Sequence, residues 1–236
     1  MRMKPHDEKD GYRVWLSDTE ANRLIETMYD HGGTAHRTAG RLGVHCGMRR
    51  SEAAAVRAVD VVEDMGDDHL RIWEDAAKAD KYRETPIPGD LADQIEMIPE
   101  FTTGIDVDDE ILDVTSKTLN RWVKRAGTEL HAETGDEGWR EVTFHDLRRT
   151  WGTRLLENGT LPSVVMTWGG WEDWETFRKH YLGEFSPHAL QRERGKVPWL
   201  NSDGGSSGSG ESGRAVDEHL TPVSTPGDRA PGTRSK

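Results

Sequence analysis

Phe144-His145-Asp146-Leu147-Arg148-Arg149-Thr150 is the stretch on which the reading of this chain turns. With the residues that follow, it predicts a helix over His145–Glu157 in which Leu147, Trp151 and Leu155 form the buried stripe. His145 and Arg148 stand at i and i+3, so they project from neighbouring positions and flank that stripe. Such a pair is either two polar donors held rigidly at the edge of a packed helix or a solvated surface pair. With ten histidines and twenty-two arginines in the chain, chance alone supplies about one His-x-x-Arg. The information therefore lies in the flanks: Phe144 before, Leu147 between and Thr150 after.

Downstream, Gly169-Gly170-Trp171 offers an indole N–H, a donor with no acceptor role, although Trp168 and Trp174 at helical spacing also suit a core tryptophan. Thr176-Phe177-Arg178-Lys179-His180-Tyr181-Leu182 then brings a phenol, whereas Tyr12, Tyr29 and Tyr82 lie far upstream of His145. Near the start, Gly47-Met48-Arg49-Arg50-Ser51-Glu52 leads from a loop into an alanine-rich helix. A cation at a helix N-terminus is electrostatically unfavourable, a placement that slightly favours a functional role over a surface one for Arg49 or its neighbour Arg50. Lys78 and Lys81, two of only nine lysines, fall in Lys78-Ala79-Asp80-Lys81-Tyr82-Arg83-Glu84-Thr85-Pro86 within a predicted β-hairpin.

Read as His-x-Leu-Arg-x-Thr, Gly-Met-Arg-x-Ser-Glu, Lys-x-x-Lys-x-Arg-x-x-Pro and His-Tyr-Leu, these segments resemble the catalytic domain of the tyrosine recombinase (phage integrase) family over about residues 15–195. The resemblance implies a mainly α fold with a small antiparallel β-sheet (α+β). It also implies a site made of Arg49, Lys78, His145, Arg148, Trp171 and Tyr181, with Lys81 as the alternative to Lys78 and Glu52 steadying Arg49 or its helix. Tyr181 would be the nucleophile on a DNA phosphodiester and form a 3′-phosphotyrosyl link. The two arginines would bracket the phosphate, Lys78 would protonate the leaving 5′ oxygen, and His145 would assist proton transfer or steady the phosphate. The expected activity is that of a metal-independent, site-specific recombinase needing no cofactor. Its expected partners are double-stranded DNA, three further copies of itself in a tetrameric synapse, and an accessory DNA-binding protein. Tyr181 stands ten positions after Trp171, one more than the family spacing, so the connecting turn carries an insertion or another residue takes the part of Trp171. Too few residues precede the first helix for the N-terminal domain with which typical members clamp DNA. That departure keeps two other readings open: an impaired or truncated member acting as a DNA-binding accessory protein, and a type IB topoisomerase-like relaxing activity. An acidic helical interaction protein without a nucleic-acid role is the reading from a different class.

Composition sets the bounds. The 236 residues suit one compact domain with tails, and a third of them are hydrophobic. No apolar run approaches membrane-spanning length, the N-terminus lacks signal-peptide character, and a single cysteine, Cys46, excludes an internal disulfide; a cytoplasmic setting is expected. No cysteine and histidine set has zinc spacing. The net charge of −12 opposes nucleic-acid binding if taken alone. The segment from Asn201 onward holds five acids and four bases, so the acidity belongs to the body of the chain. An acid-rich, lysine-poor surface fits a halophilic archaeal protein working in molar salt, where the Debye length is only about 3 Å.

Along the chain, residues 1–14 read as a polar lead-in, 15–200 as the catalytic domain and 201–236 as a disordered Gly/Ser-rich tail. Ser17-Asp18-Thr19-Glu20 is a capping box opening a first helix that Gly32-Gly33 should end. A second helix spans about 35–44 and a third reaches about Arg57. Short strands follow around Val59–Val62, Leu70–Trp73 and Tyr82–Ile87, with turns at Asp67-Asp68 and residues 76–80. Helices resume over Leu91–Ile98 and Ser116–His131, separated by an acidic loop, and over His145–Glu157, Ser163–Trp168 and Trp174–Leu182, with a last short one at Ser186–Arg194.

Overall fold

A computed structural model describes residues 1–6, 10–74, 82–181 and 187–200. The chain opens on a β-hairpin, β1 (Arg2–Pro5) and β2 (Tyr12–Trp15), paired antiparallel with Met3 opposite Val14. The stretch read as a polar lead-in is thus a strand pair, because alternate residues of β2, Val14 and Leu16 beyond it, are needed in the core. Ser17 then caps α1 (Asp18–His45) with the full capping box to Glu20. The helix breaks at Gly32-Gly33, whose backbone leaves helical geometry, as their sequence predicts.

Helix α2 (Arg50–Ala54) is shorter than expected, and a 3₁₀ turn at Ala58–Asp60 leads into β3 (Val61–Asp64), β4 (Asp67–Ile72) and β5 (Arg83–Pro86). These form an antiparallel sheet in the order β3-β4-β5. The β3–β4 turn is Met65-Gly66, both at positive φ, and not Asp67-Asp68, which open β4. A two-residue hairpin loop twisted to match its strands needs left-handed backbone at both positions, and Gly66 supplies one of them without strain. This register sets Glu63 against Asp68 and Asp64 against Asp67, like charges facing one another across the ladder.

The elements that follow among the described residues are helices: α3 (Gly89–Phe101), which carries Pro99 inside it and so shortens the expected loop, α4 (Ser116–Thr134), α5 (Gly138–Glu141), α6 (Phe144–Glu157), α7 (Pro162–Gly169), α8 (Trp174–Tyr181) and α9 (Pro187–Gly195). Helix α1 packs on both α4 and α6, and their shared core includes Leu24, Met28, Leu42, Leu119, Val123, Phe144 and Leu147. A smaller cluster of Trp151, Leu156, Val165, Phe177 and Tyr181 joins α6, α7 and α8.

Helix α6 is the axis of the molecule. One face binds β2 by side-chain hydrogen bonds, made from positions 146, 150 and 153 at helical spacing. Asp146 accepts from the Val14 N–H (3.1 Å), Thr150 Oγ1 from the Leu16 N–H (3.1 Å), and Thr153 Oγ1 from the Trp15 indole (3.1 Å). Asp146 also caps its own helix through Thr143 and pairs with Arg149. The edge of β2 that β1 does not pair therefore ends in satisfied donors. The opposite face, carrying Arg148, Trp151 and Gly152, looks toward α7 and α8.

Two measurements check this account. Asp146→Ala leaves the buried Arg149 charge and the Val14 donor without their partner, and should lower unfolding stability in urea by about 3–5 kcal/mol; a loss under about 1 kcal/mol contradicts the clamp. Asp67→Lys, opposite Asp64, should raise stability by about 0.2–1 kcal/mol in low salt, and molar KCl should erase the gain.

Candidate active site

The site grows from the turn before α2. Gly47, at φ +63, lies against the face of Trp151, so that an added Cβ would sit 2.2 Å from the indole. Only glycine combines that backbone with that approach. The Gly47 carbonyl points to α6 and accepts a hydrogen bond from Arg148 Nη1 at 2.5 Å. Two residues on, Arg49 is the N-cap of α2 and Glu52 its third residue. Glu52 Oε2 accepts the Arg49 backbone N–H at 2.6 Å, and Oε1 accepts Arg49 Nη1 at 2.6 Å. The capping carboxylate thus holds both the helix and the arginine side chain, while Arg50 is exposed.

Glu52 is buried and gathers more than one cation. Arg83 of β5 reaches it bidentately, Nη1 to Oε1 at 2.9 Å and Nη2 to Oε2 at 2.7 Å, and Arg148 Nη1 stands 3.9 Å from Oε2. Burial alone would push the Glu52 carboxyl up, but the Arg83 hydrogen bonds and the charges of Arg83, Arg148 and Arg49 bring it down to about 2. Arg83 was not among the residues singled out from the sequence. Its motif placed it on a strand, and nothing local announced that strand's approach to Glu52.

Arg148 is 1% exposed, not at the edge of a buried stripe as the helical wheel suggests. The wheel treats one face of α6 as solvent, whereas β2 covers one side and α7 and α8 the other, leaving His145 as the exposed position of the first two turns. The Arg148 guanidinium donates to the Gly47 and Gly169 carbonyls, and its Cζ lies 4.1 Å from the centroid of Trp171. Burial lowers its pKa to about 10, against the opposing pull of Tyr181, so it stays charged at neutral pH.

Trp171 follows the left-handed Gly170 that ends α7, and it sits in the turn before α8. Its ring packs on Trp151, Phe177 and Tyr181, the last edge-on at 4.6 Å between centroids. Tyr181, at the end of α8, is 3% exposed and lies over Gly152, one turn beyond Arg148; a Cβ at Gly152 would come within 3.0 Å of its ring. Burial raises the phenol pKa, and Arg148, Arg149 and Arg49 pull it back in part.

Arg49, Arg148, Trp171 and Tyr181 therefore come together, from segments more than a hundred residues apart. Arg49 adds a direct tie to the same turn, Nη2 to the Gly170 carbonyl at 3.2 Å, and keeps 22% of its side chain exposed. His145 lies on the exposed side of α6, and Lys78 and Lys81 fall outside the described residues. Among the described residues no group of His, Cys, Asp and Glu is arranged to hold a metal ion, and no helix is long and apolar enough to cross a membrane.

Residues 14–186 match the Phage integrase family. No curated protein matches the chain. Among solved structures the chain is similar to XerA recombinase, with 22% identity and a TM-score of 0.60 over 78% of this chain and 64% of that one. It is similar to the Tn1549 transposon integrase in complex with a circular intermediate DNA, at 15% identity, TM-score 0.60, 81% of this chain and 68% of the other. It is also similar to the catalytic domain of bacteriophage HP1 integrase, at 21% identity, TM-score 0.53, 80% of this chain and 97% of that domain. At such identities the likeness is one of fold, and the chain spans slightly less than two thirds of XerA recombinase. The mostly helical architecture with small antiparallel sheets is that of tyrosine recombinase catalytic domains. With the match running through well over half of its residues, the chain belongs to the phage integrase family.

Proposed function

We propose that this chain is a site-specific DNA recombinase or integrase that breaks and rejoins duplex DNA through a 3′-phosphotyrosyl intermediate. The observation that carries the reading is the convergence of Arg49 and Arg148 on one buried carboxylate, with the Tyr181 ring in the aromatic cluster that covers Arg148. In the proposed reaction the Tyr181 oxygen attacks phosphorus, and the bond from phosphorus to the 5′ oxygen breaks. Lys78 gives the leaving oxygen its proton, and His145 assists proton transfer at the phenol or steadies the phosphate. Attack by a 5′ hydroxyl on the phosphotyrosyl link re-forms the diester and frees Tyr181.

The arginines supply the electrostatics. Negative charge builds on the non-bridging oxygens in the transition state, and planar guanidinium forks match it with two parallel hydrogen bonds. The Trp171 N–H is the proposed third donor. Duplex DNA is the proposed substrate, four copies of the chain around two duplexes the proposed assembly, and an accessory DNA-binding protein a further partner. Arg148 and Tyr181 are almost fully covered, so productive binding requires Trp171 to shift from the guanidinium it lies against and Tyr181 to leave its buried place beside it. The same burial raises the phenol pKa, and leaving the aromatic cluster for the cationic pocket would lower it. The like-charged pairs across β3 and β4, with the net charge of −12, support a high-salt working environment of halophilic type.

One observation favours the second reading, a DNA-binding relative that does not cleave: the covered state of Tyr181. Nicked suicide duplexes of randomised sequence, incubated in both 0.1 M and molar KCl (roughly 10 Å and 3 Å of screening), separate the two. The wild type should form a covalent protein–DNA complex that survives a denaturing gel. Tyr181→Phe should abolish it while native gel-shift binding stays within about threefold. Binding without any covalent complex would favour the accessory role, and trapping through another residue would refute Tyr181. Arg148→Lys keeps the charge but loses the fork, and its cleavage rate should fall by about 10²–10³; near-normal cleavage ends the bidentate role.

A further inference from the structure

We propose that Arg83 is a positioning residue of this site: by donating to both oxygens of Glu52 it shares the neutralisation of a carboxylate that Arg49 also pairs, and so leaves a cationic surplus on Arg49 and Arg148 for a phosphate. The inference rests on the reading that this site cleaves DNA, and it begins with the end of α7. Three successive carbonyls there each receive a different arginine: Trp168 from Arg83 Nε at 3.0 Å, Gly169 from Arg148 Nη2, and Gly170 from Arg49 Nη2 at 3.2 Å. These are the carbonyls a helix leaves unpaired at its C-terminus, where the macrodipole favours cations. All three arginines also approach Glu52. One carboxylate and one helix end thus assemble three cations from α2, β5 and α6.

The three are not equivalent. Arg83 bridges both oxygens of Glu52 and also donates to the Trp168 carbonyl, whereas the Arg49 guanidinium donates to one Glu52 oxygen and Gly170, and that of Arg148 to the Gly47 and Gly169 carbonyls. It is also wedged: a Cβ on Gly170 would lie 2.9 Å from Arg83 Cδ. Arg49 keeps part of its side chain in solvent, and Arg148 meets Glu52 only at 3.9 Å. The charge count gives the physical reason. A buried carboxylate must be paired, and without Arg83 it would rest on Arg49, already at 2.6 Å, and draw in Arg148, the two arginines that the phosphate needs. With Arg83 in place the pocket carries three cations against one anion, a surplus matched to a phosphodiester passing through a more highly charged transition state.

Single-turnover cleavage of a nicked duplex and its pH profile test this. Arg83→Lys keeps the charge but cannot bridge both oxygens and the carbonyl, and should cleave at least about tenfold more slowly at saturating DNA, with the duplex Kd within about threefold of wild type. The acid limb of its rate profile should move upward, because a Glu52 carboxyl that loses hydrogen bonds gains its proton at higher pH. Arg83→Met removes the bidentate partner of a buried carboxylate and destabilises the fold, so it is combined with Glu52→Gln, which removes the charge. That double variant should fold and still cleave slowly. Arg83→Lys cleaving within about threefold of wild type with an unmoved acid limb, or the double variant cleaving within about threefold of wild type, overturns the proposal while leaving the recombinase reading intact. A wild type that forms no covalent complex overturns both.

Discussion

The site depends on a carboxylate that cannot leave the protein. Burying an ion costs several kcal/mol unless charged partners and hydrogen bonds replace water, and Glu52 finds those partners in residues 49, 83 and 148. Its pairing with the Arg49 backbone and side chain is local, three residues along the chain. The pairing with Arg83 spans 31 residues, and the approach to Arg148 nearly a hundred. A short-range capping box thereby becomes the point at which a helix, a sheet and the central helix are brought into register.

Helix α6 carries the second half of that constraint. Its 146, 150 and 153 face is pinned to β2 by neutral and charged hydrogen bonds, so the helix cannot rotate or slide without stranding buried donors. The opposite face then has Arg148 at a set height, between the Gly47 and Gly169 carbonyls. Trp171 lies over this guanidinium and joins it to Tyr181 and the aromatic cluster of α8. On the proposed function, stability and chemistry share the same residues. The contacts that bury the phenol and the guanidinium are those that binding of the proposed substrate would have to open.

Much of the fold was legible because its signals are local. The Ser17 capping box, the Gly32-Gly33 break and the helical spacing of Leu119, Val123, Ala126 and Leu130 each depend on neighbours within a few residues. The misreadings share a physical cause. Asp67-Asp68 looked like a turn by composition, yet backbone handedness put the turn at Met65-Gly66. Residues 1–14 looked polar and unpaired, yet α6 supplies partners for β2 from more than 130 residues away. Arg148 looked like an edge residue, because a wheel cannot know that both sides of a helix will be covered.

The amino-acid sequence alone determined which residues are candidates for the proposed chemistry: the spacing of His145 and Arg148, the Gly-Met-Arg-Arg-Ser-Glu turn and the phenol of Tyr181 are properties of short segments. It also determined the helical class, since hydrophobic period is set by the order of residues. The tertiary structure decided what those residues meet. That Arg83 belongs with Glu52, that Arg49 and not Arg50 turns inward, and that Arg148 lies beneath Trp171 all depend on contacts between distant segments. Charge pairing in a buried place is a property of the packed chain, because only packing removes the water that would otherwise satisfy each ion by itself.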